Sequence, residues 1–383
     1  MGMFDFNAQL HKKGISVFDA QINELGIVDM FGSLIWTPRF YSVGTFELKA
    51  PMTKNNVKLL QKHRYLRRND VGESCFIKSI TEHVGEDGKY LLVSGDMVKG
   101  LIYKRTIALP NPLTSFSLNQ MMSWMNDDSD SFNRYDKFLF NGSGAEYMLP
   151  PSADMQNLGE YTENMLRADG RAFRVELLPN TRQILCTYTS GVDRSTDQEE
   201  NPHVIFSVGE GNLYNTAYNY SEEGCYNFVR CSADLTGVSY SQTTGTPYPL
   251  YIEKSSSDTG LSRSILLLRE KPVTFEKKIE TETGTVIVTV LDYDETRARQ
   301  QELVNQRYCE YTENFTGTAY GRGYRKDWFL GDYATVEDTE RGAMHKKQIE
   351  EVQEVFEGGS YSVNVTFGDN LKTIFDLVKE AKK

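Results

Sequence analysis

In the N-terminal part of the chain, apolar side chains recur at every second position. Ile15 and Val17 alternate with polar neighbours between Gly14 and Asp19, and Leu34, Trp36, Phe46 and Leu48 repeat the pattern across Gly32–Ala50 around a turn at Ser42 to Gly44. A period of two turns one face of each segment toward a core, so this stretch predicts a β-hairpin. Val57, Leu59 and Leu60 mark a short helix, and Cys75–Ile80 and Tyr90–Ser94 predict two strands joined through Gly85-Glu86-Asp87-Gly88. Residues 1–108 are therefore expected to form a small, mostly antiparallel β-barrel. Leu109-Pro110-Asn111-Pro112 ends it, because proline and the residue before it resist both helix and central strand.

Beyond that boundary the period changes. Leu118–Met125 and Leu158–Ala168 predict helices, a polar Asp/Ser run covers Asn126–Ser131, and strands are expected at Ala172–Leu178 and Gln183–Thr189 around Pro179-Asn180. Ser239–Gly260, rich in Ser, Thr, Gly and Pro, reads as an exposed loop or a second boundary. A strand at Val286–Leu291 and a helix over Asp294–Tyr308 lead into a final β-rich block. At the end, Asp369 or Asn370 can cap a helix whose Leu371, Ile374, Phe375 and Val378 share one face, with Lys379, Lys382 and Lys383 at its negative pole. The expected fold class is α+β, mainly β. It comprises two tube-like antiparallel β-barrel domains (1–108 and 273–383), an α/β insertion domain between them (109–272) that can return strands to the first barrel near 203–232, and a C-terminal helix.

The two outer domains echo each other. Arg67-Arg68-Asn69-Asp70, Ile77, Ile80, Glu82, Gly88-Lys89-Tyr90 and Gly95-Asp96 are matched in order by Arg325-Lys326-Asp327, Ile349, Val352, Glu354, Gly359-Ser360-Tyr361 and Gly368-Asp369. Such an echo predicts a duplicated β domain. Ile77, Ile80 and Tyr90 of one copy, Ile349, Val352 and Tyr361 of the other, and Phe375 of the terminal helix are the candidate assembly residues.

Composition narrows the function. Leu, Ile, Val and Phe recur along all 383 residues, which are 39% hydrophobic and 25% charged, leaving no long gap for disorder. The longest apolar runs, Ile265–Leu268 and Val286–Leu291, are far short of a membrane span, and Met1–Gly14 has no secretory pattern. Net charge is −11, from 42 Lys and Arg against 53 Asp and Glu, the wrong sign for gripping phosphate backbones. The five scattered cysteines (Cys75, Cys186, Cys225, Cys231, Cys309) are expected to be free thiols.

Catalytic and cofactor signatures are missing. Gly142-Ser143-Gly144 and Gly209-Glu210-Gly211 lack the setting of a nucleotide loop, and His11, His63, His83, His203 and His345 never fall at metal-ligand spacing. Asp127-Asp128-Ser129-Asp130 lacks the glycine and closing glutamate of a calcium loop, and the acidic pairs Glu199-Glu200 and Glu222-Glu223 read as solvated surface. No catalytic, metal or cofactor residue is assigned, and the chain is read as non-enzymatic.

Four passages carry a resemblance. Ile35-Trp36-Thr37-Pro38-Arg39-Phe40-Tyr41 with Val43-Gly44-Thr45-Phe46-Glu47-Leu48-Lys49-Ala50-Pro51, then Val204-Ile205-Phe206-Ser207 to Gly211-Asn212-Leu213, then Asp327-Trp328-Phe329-Leu330-Gly331-Asp332 with Val336, and Phe367-Gly368-Asp369 with Leu371, Thr373 and Ile374, resemble in order a family of bacteriophage tail-tip and baseplate hub proteins. Residues 112–202 match it least. The resemblance implies a structural homotrimer in the tail or baseplate of a phage or phage-tail-like bacteriocin, assembled in the host cytoplasm. Its partners would be the tail tube or a distal tail protein, a spike or plug protein, and a tape measure protein, with no specific nucleic-acid binding and no membrane insertion. An acidic lumen would let DNA pass without adhering. The rival functions are a tail-associated peptidoglycan hydrolase and a cell-wall glycan-binding receptor protein.

Overall fold

The computed structural model describes residues 14–86, 88–111, 114–125, 137–142, 146–234, 250–258, 260–281, 284–319, 323–338 and 342–368. They fall into two compact units, Met1–Tyr218 with Asn314–Lys383, and Asn219–Glu313.

The first unit begins with β1 (Ile15–Phe18), β2 (Glu24–Val28), β3 (Ser33–Thr37), β4 (Thr45–Pro51), α1 (Lys54–Leu59), β5 (Tyr65–Arg68), β6 (Ser74–Gly85) and β7 (Gly88–Met97). The alternation read from sequence is visible in β4, where Phe46, Leu48 and Ala50 are buried and the residues between them exposed. Thr53 caps α1 by accepting from the Asn56 N–H. A 3₁₀ turn, Val98–Lys104, leads into β8 (Phe116–Ser117), α2 (Leu118–Trp124), β9 (Phe138–Asn141), β10 (Met148–Leu149), α3 (Leu158–Ala168), β11 (Arg171–Leu178) and β12 (Gln183–Ser190). Ser117 and Asn157 cap the two helices. They pack with the β11–β12–β9 sheet around Leu118, Met121, Leu158 and Phe173, in one core shared with Phe18, Tyr65 and Phe76 of the first strands.

Next come β13 (Ile205–Ser207) and β14 (Leu213–Ser221), and the second unit follows: β15 (Phe228–Ala233), β16 (Tyr251–Ser255), β17 (Ile265–Glu270), β18 (Thr274–Thr281), β19 (Gly284–Leu291) and α4 (Tyr293–Arg307). Part of the Ser239–Gly260 stretch expected as loop is thus strand, because β16 finds an antiparallel partner in β15. The unit closes on itself: Thr312 donates to the Ser221 carbonyl, Tyr226 bridges Tyr308, and Cys225 and Cys309 form a disulfide. This corrects the expectation of five free thiols. The bridge between Tyr226 and Tyr308 sets the adjacent cysteines 4.7 Å apart at Cα, while Cys75, Cys186 and Cys231 remain free and buried.

The chain returns to the first unit with β20 (Thr312–Ala319), β21 (Tyr333–Asp338), β22 (Ala343–Glu357) and β23 (Ser360–Gly368). β13 pairs in parallel with β21 and β14 lies beside β20, while β15 joins β16 and β17 in the second unit, so the strands of the 203–232 stretch go to the C-terminal half of the sheet and to the second unit and not to the N-terminal half. Phe206 fixes that choice by packing against Trp328 and Phe367.

Among the described residues no closed barrel forms, contrary to the expectation of two. One sheet runs β14-β20-β23-β22-β3-β4-β7-β6-β5-β1-β2, with β21 beside β22 and β13 beside β21. The reason lies in β22, which divides its length between two partners. Ala343–Gln348 pair with β21, whereas Glu354–Glu357 pair with Ser33–Trp36 of β3. The edge that could have closed the C-terminal half instead joins it to the N-terminal half. The expected C-terminal helix lies outside the described residues.

Candidate assembly interface

Six strands of the N-terminal half, β1 and β3 to β7, have counterparts in the C-terminal half, and β2 has none among the described residues. β6–β7 and β22–β23 are both hairpins with a two-residue turn, and in each the register slips once, after Ile77 in one and after Ile349 in the other. Ile349 stands against Ile77, Val352 against Ile80, Glu357 against Gly85 and Phe367 against Gly95, a constant difference of 272. The neighbouring strands agree. Gly95 pairs with Phe46 and Phe367 with Phe315; Leu91 pairs with Ala50 and Val363 with Ala319; Phe76 pairs with Tyr65 and Gln348 with Tyr333. Even the bond that ends the β5–β6 ladder, from Ile77 N–H to the Arg64 carbonyl, has its counterpart from Ile349 N–H to the Asp332 carbonyl. β13 departs from this correspondence. It takes the position of β1 but runs parallel to its neighbour, where β1 runs antiparallel. The whole second unit lies in the β14–β20 connection, whose counterpart in the N-terminal half is the loop 38–44.

The seam between the halves is a built site. Leu34 and Trp36 of β3 and Phe356 of β22 are fully buried there, and a set of charges is sealed beside them. Glu354 receives Arg68 Nη1 and Arg325 Nη2, each at 2.7 Å, and the Tyr361 hydroxyl at 2.9 Å. Arg68 also grips Asp70 (2.6 Å), Arg325 also grips Glu73 (2.6 Å), and Trp36 Nε1 donates to Glu73 at 2.7 Å. The Arg68 guanidinium lies over the rings of Phe356 and Trp36, 4.9 and 5.6 Å from their centroids. Burial works to raise the Glu354 pKa, but Arg68 and then Arg325 outweigh it and hold the carboxyl down at about 2. Outside this knot, Arg39 pairs with Glu351, Phe40 N–H donates to the Glu350 carbonyl, and Arg167 of α3 reaches Glu350 at 3.1 Å. A cleft of about 510 Å³ opens beside the network, lined in part by Arg39, Asp70, Glu73, Lys99 and Arg325.

The candidate residues read from sequence are distributed as follows. Ile77 is buried with Ile80 packed against the same N-terminal core, and Ile349 and Val352 are fully buried in the C-terminal core. Tyr361 touches both cores and donates to Glu354, placing it at the seam. Tyr90 stacks on His83 and lies under Lys49 Nζ, on a different surface. Phe375 lies outside the described residues. Glu354 and Arg68, which dominate the seam, were not singled out as site residues. The signal was present: Glu354 falls on the face of Val352 and Phe356, and Arg68 on that of Leu66, and a charge on an apolar face must find a partner. Among the described residues, no three His, Cys, Asp or Glu side chains are grouped so as to hold a metal ion.

Residues 14–123 and 144–242 match the family described as Siphovirus ReqiPepy6 Gp37-like protein. No curated protein matches the chain. Among solved structures, the fold is similar to prophage tail protein gp18 from Listeria monocytogenes EGD-e, with TM-score 0.53 and 14% identity over 96% of this chain and 98% of that one. It is also similar to the tail protein from Neisseria meningitidis MC58, with TM-score 0.55 and 10% identity over 93% and 96% of the two chains. The 43 kDa tail protein of prophage MuSo2 from Shewanella oneidensis gives TM-score 0.57 and 11% identity over 92% and 97%. At these identities the likeness shows a shared fold.

Proposed function

We propose that this chain, which belongs to the Siphovirus ReqiPepy6 Gp37-like protein family of phage tail proteins, is the tail-tip or baseplate hub, a homotrimer joining the tail tube to the distal spike or plug. A structural component of a virion tail is the broader role; the trimeric hub is our reading of it. The observation that carries it is the correspondence of six strands in the two halves, with a shared register, bulge and turn in their long hairpins. A trimer of such chains offers six nearly equivalent half-sheets, which suits a six-fold tube on one side and a three-fold spike on the other. The sealed Arg–Glu seam supports a structural part too. Buried ion pairs of this kind are best attested as devices for fixing register. Light scattering and cryo-electron microscopy of the purified chain and of the particle provide the test: three copies are expected, and one or six would overturn the reading.

A further inference from the structure

The β3–β22 seam has a counterpart that stays open within one chain. The β22 segment that meets the N-terminal half is Glu350–Glu357, and the duplication maps it onto Lys78–Gly85 of β6. β5 pairs with β6 only through Ser74–Phe76, so this segment keeps β7 on one side and, among the described residues, no strand on the other. Exposure shows the difference. Phe356 is 1% exposed and its counterpart Val84 is 66% exposed; Glu354 is fully buried, whereas Glu82 faces solvent. On the opposite flank, β3 lies between β4 and β22 with Leu34 and Trp36 buried. β14, in the place equivalent to β3, has β20 as its one sheet neighbour among the described residues and ends the sheet, with Tyr214, Asn215, Thr216 and Ala217 exposed.

We infer that the β6 edge, Lys78–Gly85, of one chain pairs with the β14 edge, around Leu213–Tyr218, of a second copy, repeating between molecules the seam that β22 and β3 make within one. The inference rests on the hub reading and names its subunit contact. An exposed strand edge bearing an apolar side chain is a liability in a free monomer, and pairing removes it. The contact is heterologous, because the two edges differ, and a head-to-tail contact of this sort closes into a ring when its rotation permits. A second copy is the occupant because each chain carries both complementary edges, and because the chain already makes the same contact with itself at the other half-sheet.

Cysteine cross-linking of the full-length chain provides the test. V84C and T216C are made separately in differently tagged chains, mixed under reducing conditions, and treated with a short bis-maleimide. The expected product is a covalent pair carrying both tags; its absence, or a V84C–V84C pair at equal yield, overturns the inference. In parallel, Val84→Arg should abolish the wild-type oligomer in light scattering while leaving the circular-dichroism spectrum of the folded chain unchanged, since Val84 makes little contact within its own chain. A Val84→Arg chain of wild-type size would refute the contact. The two readings separate cleanly: a V84C–T216C product in an assembly of other than three copies sinks the trimeric hub and keeps the seam. A trimer without the product does the reverse.

Discussion

Glu354→Ala is the sharpest test of the sealed seam. The substitution leaves Arg68, which is fully buried, with Asp70 alone, leaves Arg325 with Glu73 alone, and takes the acceptor from the Tyr361 hydroxyl. Removing one partner of a buried ion pair typically costs about 3–5 kcal/mol, because the remaining charge stays desolvated. For a unit of this size each kcal/mol lowers the unfolding temperature by about 2 °C, so a fall of about 6–10 °C is expected. Calorimetry or denaturant unfolding of the purified chain would measure it. Replacing both partners, Arg68→Met with Glu354→Leu, should recover part of the loss, as apolar side chains of similar volume need no counter-charge. Acid supplies an independent arm. The Glu354 pKa is depressed to about 2, so its contribution is fully present above the ordinary carboxylate range near 4.5 and is lost as pH falls from there toward 2. Stability of the wild type should drop across that window more steeply than that of Glu354→Leu. A Glu354→Ala cost below about 1 kcal/mol, the scale of an exposed pair, would refute the reasoning.

Three further outcomes are expected. Gly191→Ala would place a Cβ 1.7 Å from the Gly331 carbonyl oxygen, so one of the two segments must move, and a loss of about 1–3 kcal/mol should appear in denaturant unfolding. Alkylation of the unfolded chain without reductant should label Cys75, Cys186 and Cys231 and spare Cys225 and Cys309, with labelling of all five disproving the disulfide. Zymography on Gram-positive and Gram-negative cell walls should show no clearing at the mass of this chain, and a lytic band there would overturn the structural role.

What could be read from the sequence was local. The β6–β7 and β22–β23 hairpins and helices α2, α3 and α4 stand out because their periods and turn residues lie within a dozen positions of one another. The duplication is visible in Ile77, Ile80 and Glu82 against Ile349, Val352 and Glu354, but the rest of the echo is out of register: Arg67 falls against Arg325 in sequence and against Thr335 in the ladders, and the last part is off by one residue. Gly88-Lys89-Tyr90 was set against Gly359-Ser360-Tyr361, whereas the ladders place Gly88 opposite Gly85 and Ser360 opposite Glu357. The glycines sit at different positions within the two turns and misled the comparison. A slip of one residue exchanges the faces of a strand. Tyr90 therefore lies under Lys49 on one face, while Tyr361 enters the seam from the other. The β3–β22 pairing and the Cys225–Cys309 bond were hidden for a common reason. Alternation says that a strand has a buried face but not which distant edge will lie beside it, and both contacts join segments far apart in the chain.

The second unit occupies a connection that the N-terminal half spans with the loop 38–44. Because Ser221 meets Thr312 and Cys225 is bonded to Cys309, its entry and exit are held together by its own contacts. The remainder of the chain thus experiences the whole of Asn219–Glu313 as little more than a tight turn. Loop closure becomes costlier only by about 0.6 kcal/mol for each doubling of length, and a folded insert that fixes its own ends avoids even most of that. Such a position tolerates cargo. A segment placed there can be exchanged or enlarged without retuning the charges that lock the two half-sheets.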